Sequence, residues 1–202
     1  MSTELLTDEA CGLRERKKRE TRRAINGAAL DLVEEKGFAA VTTEEIATRA
    51  GVSARTFFNY FPSKEAAVIG TTGEELESYA AQLDEVRDGE SSIDALRRIL
   101  AGMLAPASID RGLRVRRRRI LLGETALAPA LVGNNIRIEN ALTAALERRL
   151  GLAPGESLEP RLTVAVAIAA VRACIEHQQH GGSGDLDSNI DTAFARIAAG
   201  LG

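Results

Sequence analysis

At 202 residues, with 45% hydrophobic, 27% charged and 3% aromatic content and no tryptophan, the chain is long enough for one large or two small domains around a buried core. A formal net charge of −3 with an ordinary hydrophobic fraction excludes wholesale disorder, and two distant cysteines, Cys11 and Cys174, exclude a disulfide scaffold. The first residues are mixed and acidic, unlike a secretory leader. The longest apolar stretch, Leu162 to Val171, falls short of the roughly 20 residues that cross a bilayer, so a cytoplasmic, reducing setting is expected.

Taken in order, the chain reads as helices. Ile25, Ala28, Ala29, Leu32 and Val33 follow the i, i+3, i+4, i+7, i+8 spacing of one helix face, and Gly37 supplies a left-handed stop. Thr42 with Glu45 three residues on forms a capping box, which predicts a short helix that turns at Gly51. Ser53 is an N-cap for a third short helix through Phe61. Pro62 and Ser63 break it and open a long fourth helix with Leu76, Tyr79, Leu83 and Val86 on its inner stripe. A helix from Ser91 or Ser92 carries Ile93, Leu96, Ile99, Leu100, Met103 and Leu104 on one side and ends at Pro106. An arginine-rich helix from about Leu113 to Leu122 follows. Pro129 suits the first turn of the next, which runs to Leu150 and stops at Gly151. After a loop to Pro160, helices over Leu162–His177 and Leu186–Ala199 complete the chain. No stretch alternates over strand length, so the expected class is all-α with about nine helices.

Charge is uneven along this frame. Arg14 to Arg23 holds seven basic residues against two acidic ones, and Arg111 to Arg119 is a second basic run. A concentrated basic arm on a near-neutral protein points to a local polyanion contact. Solvation or helix pairing is the expected role of the second run, because its sides cannot all face one partner.

Thr42 to Lys64 reads as two short helices joined by a tight turn, a helix-turn-helix. Ile46, Val52, Phe57 and Phe61 supply an apolar seam, with Ala47 small at the close approach. That leaves Arg55, Thr56 and Asn59 on the opposite side of the third helix. A guanidinium, a hydroxyl and an amide there can bond phosphates and read base edges in a major groove.

These stretches, INGAALDLVEEKGF, VTTEEIATRAGVS and RTFFNYFPSKE, closely resemble the N-terminal domain of the tetracycline-repressor (TetR) family over Arg22 to Ala67. The resemblance implies a homodimeric, ligand-responsive transcription factor, usually a repressor. Its third helix would read double-stranded operator DNA, and its C-terminal helices would hold an effector pocket and the dimer interface. Three parts are expected: a basic N-terminal arm over residues 1–19, the DNA-binding domain over 20–66, and an effector-binding and dimerisation domain over 67–202. Carried over by position, Thr42 and Thr43 begin the second helix, with Thr43 on a phosphate. Ser53, Ala54, Arg55, Thr56 and Asn59 belong to the recognition helix, Tyr60 is a backbone-contacting aromatic, and Lys64 is a phosphate contact. The arm would add Arg14, Arg16, Lys17, Lys18 and Arg19 along or in the minor groove. Phe58 departs from the tyrosine common in the family, which removes a hydroxyl. Arg55 stands where glycine is common and is the best candidate for a bidentate guanine contact.

The last two helices are expected to dimerise. Leu162, Val166, Ala169 and Ala173 form one stripe, and Val164, Ile168, Val171 and Ile175 a second, which joins Ile190, Phe194 and Ile197 at the expected interface. With few aromatics beyond Phe61, an effector pocket should be aliphatic; Tyr79, Met103, Leu104, Leu121, Glu124, Asn135 and Glu139 are its candidates. Cys174, His177 and His180 at three-residue steps could seat zinc, and a metal-responsive regulator or a helical dimeric adaptor are the alternatives. No cofactor is called for. The chain has no glycine-rich phosphate loop and no nucleophile turn, so an enzyme is not expected.

Overall fold

The computed structural model describes residues 3–85, 89–104, 116–117, 119–121 and 123–200, with side chains from Arg16 onward. Nine α-helices can be bounded among the described residues: α1 (Thr3–Lys36), α2 (Thr43–Arg49), α3 (Ala54–Tyr60), α4 (Lys64–Ile69), α5 (Gly73–Asp84), α6 (Ser92–Leu104), α7 (Ala128–Arg149), α8 (Glu159–Gln179) and α9 (Leu186–Ala198). Short 3₁₀ turns at Phe38–Ala40 and Thr125–Leu127 join them. No strand occurs among the described residues, and no helix there is long and apolar enough to cross a membrane. The chain divides into two compact units, Met1–Thr72 with Ser108–Val132, and Gly73–Ala107 with Gly133–Gly202.

The first unit is built on α1. Ile25, Ala28, Ala29, Leu32 and Val33 are all buried, as their spacing predicts. The helix extends well before this face, through the basic arm. Arginine, lysine and glutamate propagate a helix without needing an apolar stripe, and Arg16 pairs with Glu20 one turn on at 3.7 Å. At α2 the capping box is complete: Thr42 Oγ1 accepts from Glu45 N at 3.2 Å, and Thr42 N donates to the Glu45 carboxylate at 2.9 Å. Gly51, at φ 69°, makes the turn. Ser53 caps α3 through Thr56 N at 3.0 Å. Ile46, Phe57 and Phe61 seal the space between α1, α2 and α3.

The expected long fourth helix is instead two. α4 ends at Gly70, which closes it in the left-handed conformation at φ 74°. That φ favours glycine, and an added Cβ would also sit 2.7 Å from Arg117 Nη1 and 2.9 Å from Asn26 Nδ2, so these side chains would have to shift. Buried Asn26 donates to the carbonyls of Ala67 and Val68 at 2.5 and 3.3 Å, satisfying the end of α4. The first unit also takes in a stretch distant in sequence: Ile120 and Leu127 are buried in the same core as Ile25 and Phe57. Val86, the stop at Pro106 and residues 111–115, 118 and 122 of the arginine-rich helix lie outside the described residues.

In the second unit, α5, α6, α8, α9 and the part of α7 from Gly133 onward surround Leu96, Ile99, Leu142, Leu146 and Val164. Arg149 is nearly buried and donates to the carbonyls of Leu83, Glu85 and Glu90 at 3.0–3.1 Å, tying down the connection from α5 to α6. Arg98 holds the Glu90 carboxylate at 2.8 Å. Glu147 accepts from Gly155 N at 2.9 Å and fixes the loop before α8. That helix starts at Glu159, earlier than expected, because Pro160 is accommodated in its first turn, where a proline's missing N–H is not needed.

Candidate nucleic-acid interface

Burial sorts the recognition helix into two sides. Phe57 is fully buried and Tyr60 half-buried, whereas Ala54, Arg55, Phe58 and Asn59 are exposed. Positions 55, 58 and 59 are one turn apart or adjacent, so they share a face. Thr56, expected on that face, turns half-inward: its hydroxyl meets the Ser53 hydroxyl at 2.8 Å beside the helix cap. The outward group is therefore Arg55, Phe58 and Asn59. Phe58, distinguished in the sequence only by the hydroxyl it lacks, joins this group because it lies three residues after Arg55 on the same face.

The other expected DNA contacts divide. Thr42 is committed to the capping box, and half-buried Thr43 donates to Glu44 at 3.1 Å. Tyr60 lies 6.0 Å from the Arg22 guanidinium, at the outer reach of a cation–π contact. Lys64 is drawn inward. Its ammonium donates to Phe38 O at 3.1 Å and Val41 O at 2.9 Å and sits 4.4 Å over the Phe38 ring, leaving one of three protons for a phosphate. On the arm, Arg16, Lys17 and Arg19 are exposed and Lys18 half-buried. The Arg14 side chain lies outside the described ones.

Carboxylates behind this face are neutralised by named partners. Lys36 hydrogen-bonds Glu45, which together with the Thr42 bonds holds the Glu45 carboxyl down at about 2. Arg49 forks onto Glu35 at 2.7 and 2.8 Å and lowers its pKa, as Arg116 does for Glu34. By contrast, the Arg55 guanidinium enters no ion pair among the described residues. Positive charge on the exposed side of α3 is thus left for solvent or a polyanion.

The expected effector residues divide between the two units. Leu121 packs against the first unit's core, and Glu124 accepts from Phe38 N at 3.3 Å. Tyr79, Met103 and Leu104 pack against the second unit's core, Asn135 is exposed, and Glu139 pairs with Arg161 at 3.6 Å. The dimer stripe needs correction. Val164, Val171, Ile190 and Phe194 are buried in their own unit, and Ile168 and Ile175 pack partly against the same core, because that side of α8 faces α6 and α9. The outer stripe is Leu162, Val166, Ala169 and Ala173. Val166, Ala169 and Ala173 of that stripe, with Ala193 and Ile197 of α9, line an open groove of about 530 Å³, to which His177, Asn189, Thr192 and Arg196 also contribute. Cys174 at the groove floor is buried, which pushes its thiol pKa up. His180 turns back to the Glu176 carbonyl at 2.8 Å. Among the described residues no group of three such side chains converges on a metal position, which sets aside the Cys174, His177 and His180 site.

Residues 25–68 match the bacterial regulatory proteins of the tetR family, and residues 90–202, more than half of the chain, match the MftR C-terminal domain. The HTH-type transcriptional regulator TcmR of Streptomyces glaucescens is 28% identical over 172 residues, covering 82% of this chain and 76% of TcmR. The regulator MftR of Mycobacterium tuberculosis is 26% identical over 191 residues, covering 92% and 93%. The structure of SmeT, repressor of a Stenotrophomonas maltophilia multidrug efflux pump, shares the fold at a TM-score of 0.54 and 21% identity, covering 89% and 91%. These relatives are transcriptional regulators, not enzymes. A packed helix-turn-helix with a cationic outer face, joined to an all-helical second unit of MftR type, makes this chain a member of the TetR family of transcriptional regulators.

Proposed function

We propose that the chain acts as a homodimeric repressor that grips a near-palindromic operator and is released by a small, mostly apolar effector. The observation that carries this reading is the outward face of α3, with Arg55 and Asn59 exposed on a helix whose other side is sealed by Phe57 and Phe61. A guanidinium and a carboxamide are the two side chains best suited to bidentate contacts with guanine and adenine. The helical arm carrying Arg14, Arg16, Lys17, Lys18 and Arg19 adds phosphate contacts beside it.

Dimerisation supplies the symmetry. The stripe from Leu162 through Val166 to Ala173, with Ile197, is apolar and open, and its alanines permit close helix approach. A second copy of the same helix pair is the proposed occupant, and a twofold axis there would present two α3 helices about one DNA turn apart, roughly 34–36 Å. The effector belongs in the second unit, whose core of aliphatic side chains, with Met103 and Leu104 packed against it, suits a mostly apolar molecule. Effector and operator then oppose each other by a coupling of about 1–3 kcal/mol, equal in both directions by linkage. Operator binding makes the cytoplasm its place of work.

The deciding experiment is capture of genomic DNA fragments by the purified full chain, followed by sequencing and sedimentation of the complex. Enrichment of fragments sharing an inverted repeat, bound by two copies, supports the reading. A protein that prefers no duplex even in low-salt buffer is instead a helical adaptor, and the reading fails.

A further inference from the structure

Phe58 is 52% exposed, in the midst of a face otherwise made of a guanidinium and a carboxamide. It lies one turn after Arg55 and directly before Asn59. Its ring stands edge-on to the buried Phe57 ring, at 5.3 Å between centroids and 88° between planes, so it projects from a rigid base. A phenyl ring has no donor for a phosphate oxygen, and leaving one in water on a reading surface is unfavourable unless binding covers it. On the floor of a major groove the apolar group that can cover it is the C5-methyl of thymine.

We propose that Phe58 is a specificity-determining residue that reads a thymine methyl in each operator half-site, beside the base contacted by Arg55. This rests on the operator-binding reading above and adds to it a base preference that polar contacts do not provide. Thymine and uracil pair identically and differ only by that methyl, so the contact can be isolated chemically.

The test uses the full-length protein and duplexes that it selects from a random library, each thymine being replaced singly by deoxyuridine. One thymine per half-site is expected at which uracil lowers affinity about fourfold, or about fifteenfold when both half-sites are changed. In Phe58→Ala the unmodified and uracil duplexes should bind equally, while Phe58→Leu, which keeps an apolar tip, should retain part of the difference. Circular dichroism of both variants checks that α3 is intact. If the two proteins bind duplex but no uracil effect disappears with the phenyl ring, the assignment of Phe58 is overturned. If the wild-type protein selects no duplex, the operator reading itself has failed and takes this inference with it.

Discussion

The Arg116 guanidinium lies 2.5 Å from the carboxylate of Asp31, a residue 85 positions earlier, and also grips Glu34 at 2.6 and 2.9 Å. This contact joins α1, which supports the helix-turn-helix, to a stretch that the sequence places well outside it. Ile120 and Leu127 follow into the same core, and Glu124 holds Phe38 N at the turn that leads into α2. The DNA-reading unit is therefore completed by residues from the middle of the chain.

Removal of Leu127 should show it. Leu127→Ala leaves a cavity in the first unit and should cost about 2–5 kcal/mol of its stability, read by urea unfolding. Arg116→Ala breaks half-exposed ion pairs only and should cost about 0–1 kcal/mol. Equal losses for the two variants would mean that the segment is attached by charge and not by its core residues.

Arg55→Ala should lower operator affinity by about 1–3 kcal/mol and relax preference at one base pair in each half-site. Binding to a panel of single-site operator variants distinguishes this from a phosphate contact, which would weaken every sequence alike. Asn59 offers an internal comparison, since its loss should relax a different position.

Salt dependence tests the arm. If a dimer neutralises about 6–10 phosphates, affinity falls roughly 10³–10⁵-fold between about 50 and 200 mM salt. A chain lacking residues 1–19 should give a shallower slope in a fluorescence-anisotropy titration. An unchanged slope removes the arm from the interface.

The two stripes of α8 make opposite predictions. Leu162→Glu, on the exposed stripe, should yield a folded monomer by sedimentation equilibrium. Val164→Ala, in the core, should keep the dimer and cost on the order of 2 kcal/mol in thermal or chemical unfolding. The reverse pattern would return the interface to the buried stripe.

Acid titration probes the α1–α2 junction. Glu45 has its pKa lowered from 4.5 to about 2, chiefly by the Lys36 hydrogen bond and then by Thr42. A depressed carboxyl pKa contributes stability that is present above the unfolded value and lost as pH falls toward the folded one. Glu45→Gln should therefore melt below the wild type at pH 7 and converge with it between about pH 4.5 and 2. Parallel melting curves across that window would show the pair to be without energetic weight.

Much of the first unit was legible because its signals are local. The Thr42–Glu45 box, the Gly51 turn and the Ser53 cap are each set by a few neighbouring residues, and each forms where the sequence predicts it. Gly70 shows the limit. It ends α4 as a left-handed cap, but the buried Asn26 that bonds the carbonyls of Ala67 and Val68 comes from α1, a partner that no local pattern announces. Lys64 was readable as a basic residue at the start of α4, but only the folded chain turns its ammonium onto the carbonyls of Phe38 and Val41.

By itself the sequence determined the helical class, the cap-and-turn geometry of the DNA-reading element and the position of its cationic residue, because hydrogen bonds and periodicities within one or two turns decide these. Only tertiary structure decided which of two apolar stripes on α8 is spent on its own core, that Phe58 stands with Arg55 and Asn59 while Thr56 turns to the cap, and that the middle of the chain completes the first unit. The physical reason is common to all three. An apolar periodicity states that a face must be covered, and what covers it depends on contacts between residues far apart in the chain.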